Sequence, residues 1–144
     1  MLVNGYIIDI EGIDKTGKDL IRQYITILSN YKYVVRARGI LSNMVYAEKF
    51  GRNFDYNLMY RPIVVYLDVD KEDWEIRCKI THEPYTDYKQ DKSLFEKYLK
   101  VLESKGINIL RYNTSKLTPI QIAKSVLSYI EEIEEHDNER TRIK

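Results

Sequence analysis

The stretch Gly12-Ile13-Asp14-Lys15-Thr16-Gly17-Lys18-Asp19 decides how this chain is read. It follows an apolar run, Tyr6-Ile7-Ile8-Asp9-Ile10, and opens an amphipathic one. Strand, glycine-rich turn and helix, in that order, is the setting in which a backbone loop wraps an anion. Gly12 and Gly17 let the chain curl so that its N–H groups face inward. Lys18 adds a point charge, and a helix starting there directs its first N–H groups at the same spot. The position after such a lysine is usually Ser or Thr, whose hydroxyl binds Mg2+. Here it is Asp19, a carboxylate that can hold the metal directly or through water but adds repulsion toward phosphate. The competing reading is a strand-to-helix turn with no ligand.

Outward from this stretch the chain alternates strand and helix. The pattern predicts a helix over Lys18–Leu28, with Leu20, Ile21, Tyr24, Ile25 and Leu28 on one face, then a short strand over Tyr33–Arg36. Leu41–Phe50 reads as a helix ended by Gly51, and Arg52–Arg61 as a loop. Ile63–Val69 is apolar on both faces and therefore a central strand. A helix follows over Lys71–Ile80, and Pro84–Lys89 is irregular. Asp91 is read as the cap of a helix over Lys92–Ser104 that Gly106 ends, and Ile107–Arg111 as the last strand. Thr118 caps a helix with Pro119 in its first position, running to about Glu134. Residues 1–134 thus make one domain, and 135–144 a charged, frayed tail. The order predicts an α/β fold with a parallel sheet of about four strands covered by helices on both faces. The loops after Ile10, Arg36, Val69 and Arg111 then meet beyond the carboxyl ends of the strands, where ligands of such sheets sit.

Composition narrows the function classes. A chain of 144 residues suffices for one core. A net charge of +1 gives no strong signal for nucleic acid or an anionic membrane. No apolar run is long enough to span a bilayer. A lone Cys78 excludes an internal disulfide and a cysteine-based zinc site and fits a cytoplasmic location. His82 and His136 are the only histidines, too few for a histidine-rich metal site.

Several of these stretches together resemble the thymidylate kinases and the phage-type deoxynucleoside monophosphate kinases. Ile10 to Lys18 looks like their phosphate loop, which reads Glu-Gly-x-Asp-(Arg/Gly)-x-Gly-Lys. Arg38-Gly39-Ile40-Leu41-Ser42-Asn43-Met44-Val45-Tyr46 resembles their Asp-Arg pair and the Ser- and Tyr-bearing helix after it. Ile63–Asp70 resembles a strand reading Leu-Asp-Val-x-Pro/Asp, and Asn113-Thr114-Ser115 a loop that borders the adenine. The chain departs from the family in three ways. The acceptor-lobe region between the first helix and Tyr33 shrinks to Ser29–Lys32. Ala37 replaces the Asp of the Asp-Arg pair, and Asp19 replaces Ser/Thr.

The resemblance implies a P-loop NTPase-like three-layer fold and an ATP- and Mg2+-dependent transfer of a phosphoryl group to a nucleoside monophosphate. It assigns the donor phosphates to Gly12, Thr16, Gly17 and Lys18, the metal to Asp19, and the adenine border to Asn113 and Thr114. Lys15 would lie over the transferring group and Asp14 at the acceptor sugar. Arg38 would hold the acceptor phosphate, Arg77 would stabilise the transfer together with Lys15, and Arg77 and Lys79 would belong to the lid. Asp9 and Asp68 are the other carboxylates that can approach a metal. Because Ala37 cannot orient Arg38, turnover is expected to be low. The alternative is a catalytically degenerate relative that binds nucleotide or a protein partner, and a homodimer is also compatible with the sequence. Among the other candidates, Arg36 and Arg38 can equally be solvated strand ends, and Arg77 and Lys79 surface charges. Tyr46, Tyr85 and Tyr88 read as packing residues, Trp74 as buried against the sheet, and His82 as a surface loop residue.

Overall fold

The computed structural model describes residues 6–53, 61–82 and 87–143, with side chains described to Asp137. Tyr85 and most of the loop between Arg52 and Arg61 lie outside the described residues. Four strands, β1 (Ile7–Glu11), β2 (Val34–Ala37), β3 (Ile63–Asp68) and β4 (Ile109–Asn113), form a sheet in the order β2-β1-β3-β4. Every neighbouring pair is parallel. The five helices are α1 (Lys18–Leu28), α2 (Ile40–Lys49), α3 (Lys71–Thr81), α4 (Tyr88–Ser104) and α5 (Pro119–Ile143).

The period-2 pattern of the strands feeds two cores. Ile8, Ile10, Val65 and Leu67 pack with Ile21 and Ile25 of α1 and Ile122, Val126 and Ile130 of α5. On the other face, Val64 and Tyr66 pack with Leu41 and Met44 of α2, Trp74 of α3 and Phe95 and Leu99 of α4. The result is three layers, helix–sheet–helix, with β1 and β3 in the middle. The apolar stripe of α1 is narrower than expected. Ile21 and Ile25 are fully buried, whereas Leu20 and Leu28 are 45% and 43% exposed. Only residues a single helical turn apart point straight at the sheet.

The cap of α4 also differs from expectation. Asp87 is the N-cap, its carboxylate accepting from Gln90 N–H at 2.9 Å. Asp91 is buried inside the helix and pairs with Lys49 of α2 at 2.8 Å. The extra turn forms because Tyr88 anchors it, packing on Trp74 and donating its hydroxyl to Val69 O at 2.6 Å. After α4, Gly106 N–H reaches Glu103 O and Ile107 N–H reaches Leu102 O. This Schellman closure commits Ile107 to the helix end and delays β4 to Ile109. Thr118 and Gln121 cap α5 reciprocally, each side chain accepting from the other's N–H at 3.3 and 2.9 Å. The helix continues past Glu134 to Ile143. No glycine or proline interrupts that run, and Glu134 and Asp137 are tied back to the sheet.

Candidate functional site

The loop between β1 and α1 sits at the carboxyl end of a central strand. Gly12 has φ 149°, and a Cβ there would lie 2.6 Å from Leu67 O of β3, so the loop presses against the neighbouring strand in a way only glycine permits. Lys15 (φ 68°) and Gly17 (φ 81°) are also left-handed. Gly17 is the N-cap of α1 and makes no side-chain capping hydrogen bond to its first turn.

Lys18 is buried. Its ammonium donates to Gly12 O at 2.9 Å, Ile13 O at 2.6 Å and Thr16 Oγ1 at 3.1 Å, folding the charge into the loop's own oxygens. Burial, and then the positive charge of Arg38, pull its pKa down to about 8. A cation kept in an unfavourable setting at the mouth of a cavity marks a site candidate. Lys18 lines a space of about 760 Å³ together with Asp14, Lys15, Asp19, Ala37 and Arg38.

Arg38 faces Lys18 from the end of β2. Its backbone is left-handed (φ 70°), an uncommon state for a non-glycine residue. Its guanidinium donates to Asp14 Oδ1 at 2.8 Å and to Tyr46 OH at 3.2 Å and lies over the Tyr46 ring. Two carboxylates that sequence reasoning left without this role hold the turn. Asp9 and Glu11, neighbours on one face of β1, are completely buried. Asp9 accepts two bonds from Arg36, at 2.8 and 2.9 Å, and one from Ile40 N–H at 3.1 Å. Glu11 accepts from Ser42 N–H at 3.1 Å and Ser42 Oγ–H at 2.5 Å. A Cβ on Gly39 would fall 2.1 Å from the Asp9 carboxyl carbon, so only glycine lets this turn seat on the carboxylate. The first turn of α2 is therefore occupied by the protein's own carboxylates. Burial pushes the Glu11 carboxyl up despite the bonds from Ser42. The signal for this arrangement was an acidic residue at alternate positions of an otherwise apolar strand, since buried charges need partners.

Several expected roles change as a result. Arg36 is an ion-pair partner of Asp9 rather than a solvated strand end. Asp9 faces α2, and Asp68 pairs with Lys92 at 3.7 Å. Asp19 remains at the mouth of the cavity, its side chain 80% exposed and 3.6 Å from Arg22. Among the described residues no group of three or more His, Cys, Asp or Glu could hold a metal.

Arg77 and Thr114 belong to a second cavity, of about 300 Å³, on the other side of Lys15 and Gly17. Arg77 donates to Lys15 O at 2.7 Å, Thr114 Oγ1 at 3.0 Å and Thr114 O at 3.2 Å, bracing the loop against the end of β4. Asn113 does not line this cavity. Its side chain donates to Asp70 at 3.0 Å and accepts from Ser115 N–H at 2.8 Å, shaping the turn. Thr16, whose hydroxyl donates to Ile13 O at 2.9 Å, lines the cavity from the loop side. His82 ends α3 in the left-handed conformation and is exposed. No helix among the described residues is long and apolar enough to cross a membrane.

An all-parallel four-stranded sheet with helices on both faces, and a glycine-rich turn from its central β1 into α1, defines a three-layer α/β fold of the P-loop-like kind. No protein-family model matches the chain. It is 24% identical over 127 residues to the SPbeta prophage-derived uncharacterized protein YorR of Bacillus subtilis (strain 168), covering 81% of this chain and 77% of YorR. The crystal structure of YorR in complex with phosphorylated GDP matches with a TM-score of 0.67 at 20% identity, over 90% of this chain and 98% of that one. A likeness at this identity establishes the shared fold.

Proposed function

We propose that the chain is a nucleotide-binding phosphotransferase of the nucleoside monophosphate kinase kind, taking ATP with Mg2+ as donor. The observation that carries this reading is the placement of Lys18 and Arg38, from two different loops, around one cavity at the first turn of α1. The nucleotide in the YorR complex supports the same reading for a chain of the same fold.

The donor's β- and γ-phosphates would meet the loop amides and the N-terminus of α1. Lys18 would exchange three neutral oxygens for phosphate oxygens, which favours its charged form. Lys15, in the shared wall of the two cavities, is within the loop that covers the transferring group. Arg38 would give up Asp14 for the acceptor phosphate, a match of guanidinium and phosphate geometry, and Asp14 would be released toward the acceptor sugar. An oxygen of that phosphate attacks the γ-phosphorus, the bond to the β,γ-bridging oxygen breaks, and its electron pair leaves with the diphosphate. Arg77 holds the loop from behind through Lys15 O. Mg2+ is commonly held by one or two carboxylates plus substrate phosphates, a donor set that Asp19 fits. When bound, the ion neutralises charge on the β- and γ-oxygens.

A second reading is favoured by Ala37 and by the Arg38–Asp14 pair, which already neutralises the acceptor arginine. In that reading the chain binds nucleotide without efficient transfer, or acts through a protein partner. Incubating the purified protein with ATP, Mg2+ and a panel of nucleoside monophosphates, and measuring ADP release, separates the two. Acceptor-dependent release that Lys18→Ala abolishes supports transfer. Nucleotide binding without release supports the second reading.

A further inference from the structure

Glu11 ends β1 and immediately precedes Gly12, so along the chain it belongs to the phosphate-loop side of the site. Its side chain serves the other side. Helix α2 begins after Gly39, which caps it without a side-chain bond, and its first internal hydrogen bond runs from Asn43 N–H to Gly39 O at 3.1 Å. The N–H groups of Ile40, Leu41 and Ser42 precede that bond and need partners from outside the helix. β1 supplies two of them. Asp9 takes Ile40 N–H, and Glu11 gives both carboxylate oxygens to Ser42, one to its N–H and one to its hydroxyl. Caps delivered from a central strand fix both the position and the rotation of the helix they hold.

That rotation decides where the next turn of α2 points. Ser42 and Tyr46 are four residues apart and share one face of the helix. The Tyr46 hydroxyl accepts from Arg38 Nη1 at 3.2 Å, and its ring centre lies 5.9 Å from the guanidinium. Phe95 of α4 meets the same ring edge-on at 6.4 Å and backs it. The Arg38 guanidinium therefore rests on Asp14 and on Tyr46. An acceptor phosphate would replace Asp14. Tyr46 is the support that stays. Glu11 and Ser42 are buried and do not line the cavity, so they reach a ligand only through what they hold.

We propose that Glu11, acting through Ser42 and Tyr46, is a positioning residue for the acceptor phosphate: it keeps the Arg38 guanidinium aimed into the cavity once Asp14 has let go. This rests on the nucleotide-binding reading above. Its consequence runs against sequence adjacency. Weakening a bond next to Gly12 should spare the donor and cost the acceptor.

Calorimetry on the full chain measures the two sides separately. The donor probe is β,γ-imido-ATP with Mg2+. The acceptor probes are AMP, GMP, dGMP, dTMP and dCMP, titrated into protein saturated with that donor. Ser42→Ala removes the hydroxyl bond to Glu11 and leaves a good helix former in its place. The Kd of the tightest acceptor is expected to rise about tenfold, the weight of one hydrogen bond to a charged group, while the donor Kd stays within about twofold. Tyr46→Phe, which removes only the hydroxyl that meets Arg38, is expected to give a similar rise. Glu11→Gln is expected to act in the same direction, and the other two variants carry the test if it does not fold. In Ser42→Ala/Tyr46→Phe the acceptor should bind about as weakly as in the weaker single variant, because both changes break one path, whereas independent contributions would multiply to about a hundredfold. An unchanged acceptor affinity in Ser42→Ala, an equal loss of donor and acceptor, or a hundredfold loss in the double variant would each overturn the inference. If the unmodified chain binds the donor probe but no monophosphate, the acceptor side of the proposed reading fails. If it binds neither, the nucleotide-binding reading itself fails. The inference falls in both cases.

Discussion

The two edges of one sheet treat polar groups in opposite ways. At the amino-terminal edge, Tyr6 OH donates to Asp137 at 2.6 Å, and Tyr33 OH and Lys32 Nζ donate to the two oxygens of Glu134 at 2.6 and 2.9 Å. These bonds join the starts of β1 and β2 to the far turns of α5, and each group has a matched partner. Burial and the neighbouring carboxylates hold both tyrosine hydroxyls neutral over a wide pH range. At the carboxyl edge, Lys15 and Arg38 have left-handed backbones, Lys18 is a buried ammonium, and Lys18 and Arg38 share a cavity. One edge fastens the chain. The other holds groups in costly states of the kind that a bound anion relieves, which marks it as the candidate site.

The comparison is tested most severely at Lys18. Lys18→Ala should reduce any phosphoryl transfer by about 10²–10³-fold, the usual loss for one positioned charge-stabilising group. Steady-state ADP release checks it, and an unchanged rate would mean that the costly lysine is only structural. Next comes Gly39→Ala. The added Cβ would collide with the Asp9 carboxylate and should destabilise the fold by about 1–3 kcal/mol, while weakening anion binding because Arg38 moves with the turn. Urea unfolding and calorimetry on the same variant would show whether both effects occur together.

Much of this contrast was legible in the chain. The bounds of α1 and the central place of β3 follow from glycine placement and apolar patterning, and both are local. The glycine-rich turn from β1 into α1 was equally legible, because strand, glycines and lysine lie within one short stretch. What escaped depended on partners far along the chain. Asp9 meets Arg36 at a separation of 27 residues, and Glu11 meets Ser42 at 31. Asp91 reads as a cap from the sequence, and only the approach of Lys49 from α2 decides that it is an ion-pair partner. The length of α5 was hidden for a similar reason. A charged run reads as a frayed end until Glu134 and Asp137 are seen tied to Tyr33 and Tyr6.

Smaller effects sharpen the contrast. Tyr33→Phe at the fastening edge should cost about 1 kcal/mol, the net worth of one hydrogen bond, and leave nucleotide affinity unchanged. A change in affinity would show that the two edges are coupled. Asp19→Ser, which restores the usual hydroxyl, should keep or modestly raise Mg2+-dependent activity, whereas Asp19→Ala should lower it. Equal activity in both variants would remove Asp19 from the metal site.

The most direct test of the account is the pH dependence of ATP binding. Lys18 in the free protein is a cation below about pH 8 and loses its proton above it. A phosphate ligand favours the cation, so the free protein must regain that proton to bind at higher pH. Affinity measured by calorimetry with Mg2+ should be level from pH 6.5 to 7.5 and then fall about tenfold for each further unit above the Lys18 pKa. In Lys18→Arg, which stays charged throughout, the fall should be absent. No binding at pH 7, or a fall of the same size in the arginine variant, would contradict the claim that Lys18 is the phosphate-binding cation of this site.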